Sequence, residues 1–186
     1  MARIISIINQ KGGVGKTTTA INLAAYLAAL GKKVLLVDID PQGNASSGLG
    51  FDYQKITKGI YEIMAFDEIN LPDITLQHKI DNLHIAPATL NLAGANVELV
   101  DLPRREFRLK DQLKPYMHQY DFILIDNPPS LGLLTINGMV AADELLIPVQ
   151  CEYFALEGLS QLLYTINLIQ NNLKPDLNIL GAILTM

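Results

Sequence analysis

An apolar run, Ile4-Ile5-Ser6-Ile7-Ile8-Asn9, passes without interruption into Gln10-Lys11-Gly12-Gly13-Val14-Gly15-Lys16-Thr17-Thr18 and then into a stretch from Ala20 to Leu27 with helical apolar spacing. A strand that turns through glycines straight into a helix start admits few folds, and it carries a chemistry of its own. The first backbone N–H groups of a helix have no intrahelical partner, and the helix dipole adds positive potential at that end. Glycines at 12, 13 and 15 remove the Cβ atoms that would hold a polyphosphate away. Lys16 then offers a point charge to the β- and γ-phosphates, and the Thr17 hydroxyl a magnesium ligand. Gly12, Gly13, Val14, Gly15, Lys16, Thr17 and Thr18 are the expected nucleotide-binding segment. A glycine-rich turn that merely joins strand to helix is the alternative, and Gly-x-Gly-Lys-Thr at such a junction speaks against it.

The remaining chain reads as alternating strand and helix. Strands are expected at Arg3 to Asn9, Lys33 to Asp38, Asn82 to Ala86, Asp121 to Asp126, Glu144 to Val149 and Asn178 to Leu184. Helices are expected from Thr17 to about Leu30 with Gly31 as a stop, at Ile60 to Ala65, from Leu90 to Leu99 with a break at Gly94, from Arg104 until before Pro115, at Thr135 to Ala142 and from Ala155 to about Asn172. Ser46 to Gly50 reads as loop, and Leu71 to Leu76 as irregular or a short strand. The strands are apolar and β-branched without alternation, as in a parallel sheet covered on both faces. The pattern therefore predicts an α/β fold: a doubly wound, mostly parallel sheet with helices on both faces, in one domain over residues 1–186. Apolar content of 49% and charged content of 18% fit a packed core. The net charge of −5 offers no global basic field for nucleic acid. A lone cysteine, Cys151, rules out an intrachain disulfide, and no run is long enough to span a bilayer.

Two more positions carry chemistry. Asp126 closes an apolar strand and is followed by Asn127-Pro128-Pro129-Ser130-Leu131-Gly132; a carboxylate there suits a magnesium site, and the prolines stiffen the segment that follows. Asp38-Ile39-Asp40-Pro41-Gln42-Gly43-Asn44 lies at the carboxyl end of the second strand, where open α/β sheets place ligands. Asp40 is the candidate for polarising the attacking water and for approaching the metal; Asp38 competes for the role. Both could instead be turn residues.

These stretches, in this order, resemble the ParA/MinD ATPases, a branch of the P-loop NTPases with a deviant Walker A motif, and within them the ParA/Soj partitioning proteins. A glycine is missing at Gln10, and a second lysine, Lys11, precedes the Gly-Gly pair. The resemblance implies that Lys11 reaches across a dimer interface to the nucleotide of the other subunit. It implies that Asp40, Lys11 and Lys16 serve catalysis, and that Thr17, Asp126 and Asp40 serve the metal. It further implies ATP and Mg2+ as cofactors, a nucleotide-dependent homodimer, nonspecific DNA binding, a ParB/Spo0J-type partner that stimulates slow hydrolysis, and a cytoplasmic, nucleoid-associated protein without a membrane. Gln150 to Gly158 would be a dimer-contacting segment; from the residues alone it is a polar loop. Arg104, Arg105, Arg108 and Lys110 are either a DNA-facing patch or a solvated face. His78, His84 and His118 show no ligand spacing. The family commonly continues past the last strand here, so a short carboxyl end is expected, with exposed apolar surface where a covering helix would lie. A MinD-like membrane-associated ATPase and a nucleotide-binding module without turnover are the competing readings.

Overall fold

Strands that are apolar on both sides need helices above and below them, and the seven-stranded sheet has both. The computed structural model describes residues 1–152 and 155–185. The strands are β1 (Arg3–Ile7), β2 (Val34–Asp38), β3 (Leu76–Gln77), β4 (Leu83–Ala86), β5 (Phe122–Asp126), β6 (Glu144–Gln150) and β7 (Asn178–Thr185). They lie in the order β3-β4-β2-β5-β1-β6-β7. Among the described residues every pairing is parallel except β3 with β4. The helices are α1 (Lys16–Ala29), α2 (Asn44–Gly48), α3 (Ile60–Ala65), α4 (Leu71–Ile74), α5 (Ala95–Glu98), α6 (Arg108–Leu113), α7 (Leu133–Ala141) and α8 (Ala155–Asn172).

Alternate strand residues face two separate cores. Ile5, Ile7, Val34, Leu36 and Leu124 pack against Ala20, Ala24 and Ala28 of α1. Alanine every fourth residue brings that helix close to the sheet. Ile4, Leu35, Val37, Ile123 and Ile125 face the opposite way, onto α3, α6, α7 and α8. Register then does the positioning. Ile7 pairs with Asp126, and Asp126 pairs with Asp38, so β1, β5 and β2 end level. The order of connection switches sides at β1, with β2 to β5 on one side of it and β6 and β7 on the other; the crevice beyond those strand ends is where doubly wound sheets hold ligands.

Three expectations from the sequence need correction. Ser46–Gly50 is not simply loop, because Asn44–Gly48 forms α2 behind Gly43, whose φ of +61° starts the turn. Leu71–Leu76 is neither irregular nor one strand: α4 forms first, with the Asp73 carboxylate accepting from the Asn70 N–H at 2.8 Å, and the short β3 follows. Arg104 does not open a helix. It sits at φ +55°, and its guanidinium forks onto Asp111 at 2.9–3.1 Å, so α6 begins only at Arg108. The expected break at Gly94 is real, with 3-10 turns before it and α5 after it. Past Leu113 the chain tightens into a 3-10 segment, Lys114–Gln119, with Pro115 in its first turn. Tyr153, Phe154 and Met186 lie outside the described residues. At the rim, β7 pairs with β6 and leaves Ile179, Leu180, Ile183 and Leu184 substantially exposed.

Candidate phosphate and metal site

The loop between β1 and α1 is shaped by two glycines in the left-handed region, Gly13 at φ +75° and Gly15 at φ +88°. A side chain at either position would be strained. Gly15 is also the N-cap of α1, which has no side-chain cap and no acidic residue in its first turn. The helix therefore presents uncompensated N–H groups toward a cavity of about 540 Å³. Gly12, Gly13, Gly15, Lys16, Thr17, Thr18 and Asp40 line it, together with Ile21, Gln42, Asn44 and Pro129. Thus the glycine loop, the segment after β2 and Pro129 after β5 meet at one place. Val14 is buried at 1% exposure and is not among the residues that line the cavity.

Lys16 is buried, and its ammonium donates to the Lys11 carbonyl at 3.0 Å. Burial lowers its pKa, while Asp126 and Asp40 pull it back up. Asp126 is fully buried, and neither of its carboxylate oxygens meets a hydrogen-bond donor at bonding geometry. Burial, then the neighbouring Asp38 and Asp40, push its pKa up to about 8 against the weaker pull of the Thr17 hydroxyl and Lys16. Buried acceptors without donors are rare in folded proteins. Two such oxygens beside a threonine hydroxyl are the hard oxygen donors that a divalent cation takes, so these residues fit magnesium.

Asp38 and Asp40 have different surroundings. The Asp38 carboxylate is fully buried and committed inward, accepting from Ser46 N–H (2.8 Å), Ser46 O–H (2.7 Å) and Asp40 N–H (3.2 Å). Burial raises its pKa to about 6, and the bonds from Ser46 hold it below that of Asp126. Asp40 stands at the cavity wall, where one of its oxygens accepts from Gln42 N–H at 3.0 Å.

Lys11 is not drawn into this cavity. Its ammonium donates to Gln150 Oε1 at 2.9 Å and Glu152 Oε2 at 2.6 Å. The arginine group is likewise not one basic face: Arg104 pairs with Asp111, Arg105 with Glu106, and Arg108 with Asp67. His78 and His84 hold structural bonds, to the Leu49 carbonyl and the Tyr120 hydroxyl.

Three contributors escaped the sequence reading. Ser46 joins two segments, since its hydroxyl donates to Asp38 and accepts from Ala88 N–H at 3.2 Å. Asn127 is buried, and its amide donates to Ser6 Oγ, the Ile7 carbonyl and the Ile125 carbonyl at 2.7–3.1 Å, fixing the chain's direction after Asp126. Ile21, one helical turn after Thr17, forms an apolar wall. Only Ile21 had a local signal, its spacing on α1.

Residues 2–179 match the AAA_31 family, described as an AAA domain. Over 186 residues the chain is 56% identical to the sporulation initiation inhibitor protein Soj of Bacillus subtilis (strain 168), covering all of this chain and 73% of that protein. It is also 56% identical to the chromosome partitioning protein ParA of Myxococcus xanthus, covering all of this chain and 65% of that one. A solved structure of cobyrinic acid a,c-diamide synthase from Mycobacterium smegmatis, with bound ATP analogue and magnesium, matches with a TM-score of 0.94 and 38% identity, over 99% of this chain and 75% of the other.

Proposed function

We propose, since the chain belongs to the Soj/ParA family of chromosome-partitioning ATPases, that residues 1–186 form one P-loop ATPase domain whose magnesium-ATP site is the cavity at the start of α1. The observation that carries this reading is the convergence of Lys16, Thr17, Asp40 and the fully buried Asp126 carboxylate at one helix N-terminus. Phosphoryl transfer to water asks little covalent chemistry of a protein, so positioning and charge neutralisation supply most of the rate.

Each residue has a part in that scheme. The N–H groups of Gly13 to Thr18 and the Lys16 ammonium would bind the polyphosphate. Thr17 and Asp126 would hold magnesium, with Asp40 near it; the metal, when bound, neutralises charge on the phosphate oxygens. Asp40, at the cavity wall, orients the attacking water, and Asp38 holds the Asp40 backbone through its own carboxylate. Pro129 stands in the cavity wall, and Pro128 before it stiffens the segment. ATP binding would then favour a sandwich homodimer, with Lys11 reaching the nucleotide of the second copy. That dimer would hold DNA nonspecifically, and a ParB-type partner would stimulate hydrolysis and release it. Its place would be the cytoplasm, on the nucleoid. Among the described residues no helix is long and apolar enough to cross a membrane.

Steady-state phosphate release in magnesium-ATP is the test, with Lys16→Ala and metal chelation as controls. Slow release that both controls abolish supports the reading. Release no faster than that of Lys16→Ala, with and without a ParB-type partner and DNA, would leave only a nucleotide-binding module.

A further inference from the structure

The loop's first lysine turns its back on the cavity that the rest of the loop builds. Lys11 Nζ lies 2.6 Å from Glu152 Oε2 and 2.9 Å from Gln150 Oε1. Gln150 returns a bond of its own, its amide donating to the Gly13 carbonyl at 3.2 Å. Next to Lys11, the Gln10 amide donates to the Gly158 carbonyl at 3.1 Å and to Gln161 Oε1 at 2.9 Å. Residues 10–13 are thus stitched to the end of β6, the residues just after it and the beginning of α8. The side chains of Lys11 and Glu152 are 40% and 56% exposed. An exposed ion pair of this kind holds weakly and is screened by salt. A polyphosphate, with more charge and more acceptors, competes well against one carboxylate.

We infer that Glu152 and Gln150 are positioning residues that hold Lys11 in reserve in the nucleotide-free protomer. Assembly of two loaded copies then requires Lys11 to exchange Glu152 for a phosphate on the other copy. This inference rests on the dimer reading above. It adds a resistance to assembly that the protomer itself contains: premature pairing is opposed by a contact that only a loaded partner outcompetes. Two such contacts open per dimer, so their effects multiply.

The test uses the full chain in two states. In the nucleotide-free protein, proton–nitrogen correlation spectra of lysine ammonium groups should show a Lys11 signal that weakens or vanishes in Glu152→Gln and in Gln150→Ala, through faster proton exchange. With magnesium and a non-hydrolysable ATP analogue, sedimentation should show Glu152→Gln dimerising with a dissociation constant about 5- to 30-fold lower than the parent chain at low salt. The gap should close near 1 M salt, and in a Lys11→Ala background Glu152→Gln should restore no dimer. A Lys11 signal indifferent to Glu152 overturns the reserve contact. So does dimerisation of Glu152→Gln that is unchanged or weaker, or a gain that survives in the Lys11→Ala background. A parent chain that stays monomeric at every concentration while its Lys11 signal still depends on Glu152 overturns the dimer reading itself, and the reserve role with it.

Discussion

Asp38 and Asp126 stand side by side at the ends of β2 and β5, paired in register across neighbouring parallel strands and both without solvent exposure. Asp38 has three donors, whereas Asp126 has none at bonding geometry. Their pKa values, raised to about 6 and about 8 by burial first, lie above the value near 4 that an unfolded chain would show. The folded protein therefore retains protons that the unfolded chain has released, and stability falls as pH rises from about 4 to about 8. Thermal melts of nucleotide-free, metal-free protein should show this decline, with a shallower slope in Asp126→Asn. That variant should also be the more stable one at pH 7.5, by more than the roughly 1.4 kcal/mol that one pKa unit represents. Identical slopes would refute the assignment.

Lys16→Ala removes the buried ammonium beside Asp126 and Asp40. ATP affinity should fall by about 10- to 100-fold or more, the range of a charge-assisted contact. Isothermal titration measures it, and unchanged affinity would mean that the polyphosphate binds elsewhere.

Asp40→Ala should leave ATP binding within about threefold, since the hydrogen bond lost with its side chain, from Gln42 N–H, lies in its own turn and not in the glycine loop. Turnover should drop by about 100-fold or more, the scale of lost proton-transfer assistance, and a nucleotide-loaded dimer should accumulate. Normal phosphate release would shift the role to another group.

Lys11→Ala should bind ATP as the parent chain does, because its ammonium lies outside the cavity. Light scattering with magnesium-ATP should nonetheless show no dimer. A mutant that dimerises normally would contradict a role for Lys11 across the interface.

Ser46→Ala deletes the hydroxyl that donates to Asp38 and accepts from Ala88 N–H. Both groups are left buried and underbonded, so the cost in chemical denaturation should be about 1–3 kcal/mol. A loss under about 0.5 kcal/mol would show that the link between the β2 and β4 ends is dispensable.

What could be read from the sequence was what consecutive residues carry. The strand–glycine–helix junction, the aspartate ending β5 and the pair after β2 each announce their chemistry within a few positions. The even, apolar strands announce a sheet buried on both faces. Missed features depend on partners far away in the chain. Ser46 reads as a loop residue until Asp38 and Ala88 stand on either side of its hydroxyl. A helix as short as α2 has no measurable period. Arg104 looks like a helix opener, yet its backbone turn accompanies the fork onto Asp111. Lys11 advertises a second cation but not its resting place, which the end of β6 and the residues just after it bring from the other half of the chain.

The outer rim has a bearing on how this molecule could be watched at work. Thr185, at the end of β7, donates its hydroxyl to the Val14 carbonyl at 2.9 Å, and its methyl group lies within 4 Å of where a Gly15 Cβ would be. The sheet's edge thus touches the backbone of the nucleotide loop directly. An environment-sensitive dye on a cysteine placed at exposed Ile183, with Cys151 replaced by serine, would sit two residues from that contact. Its emission would turn the rim into an optical reporter of filling and emptying, recorded from outside the cavity and without touching any group that binds.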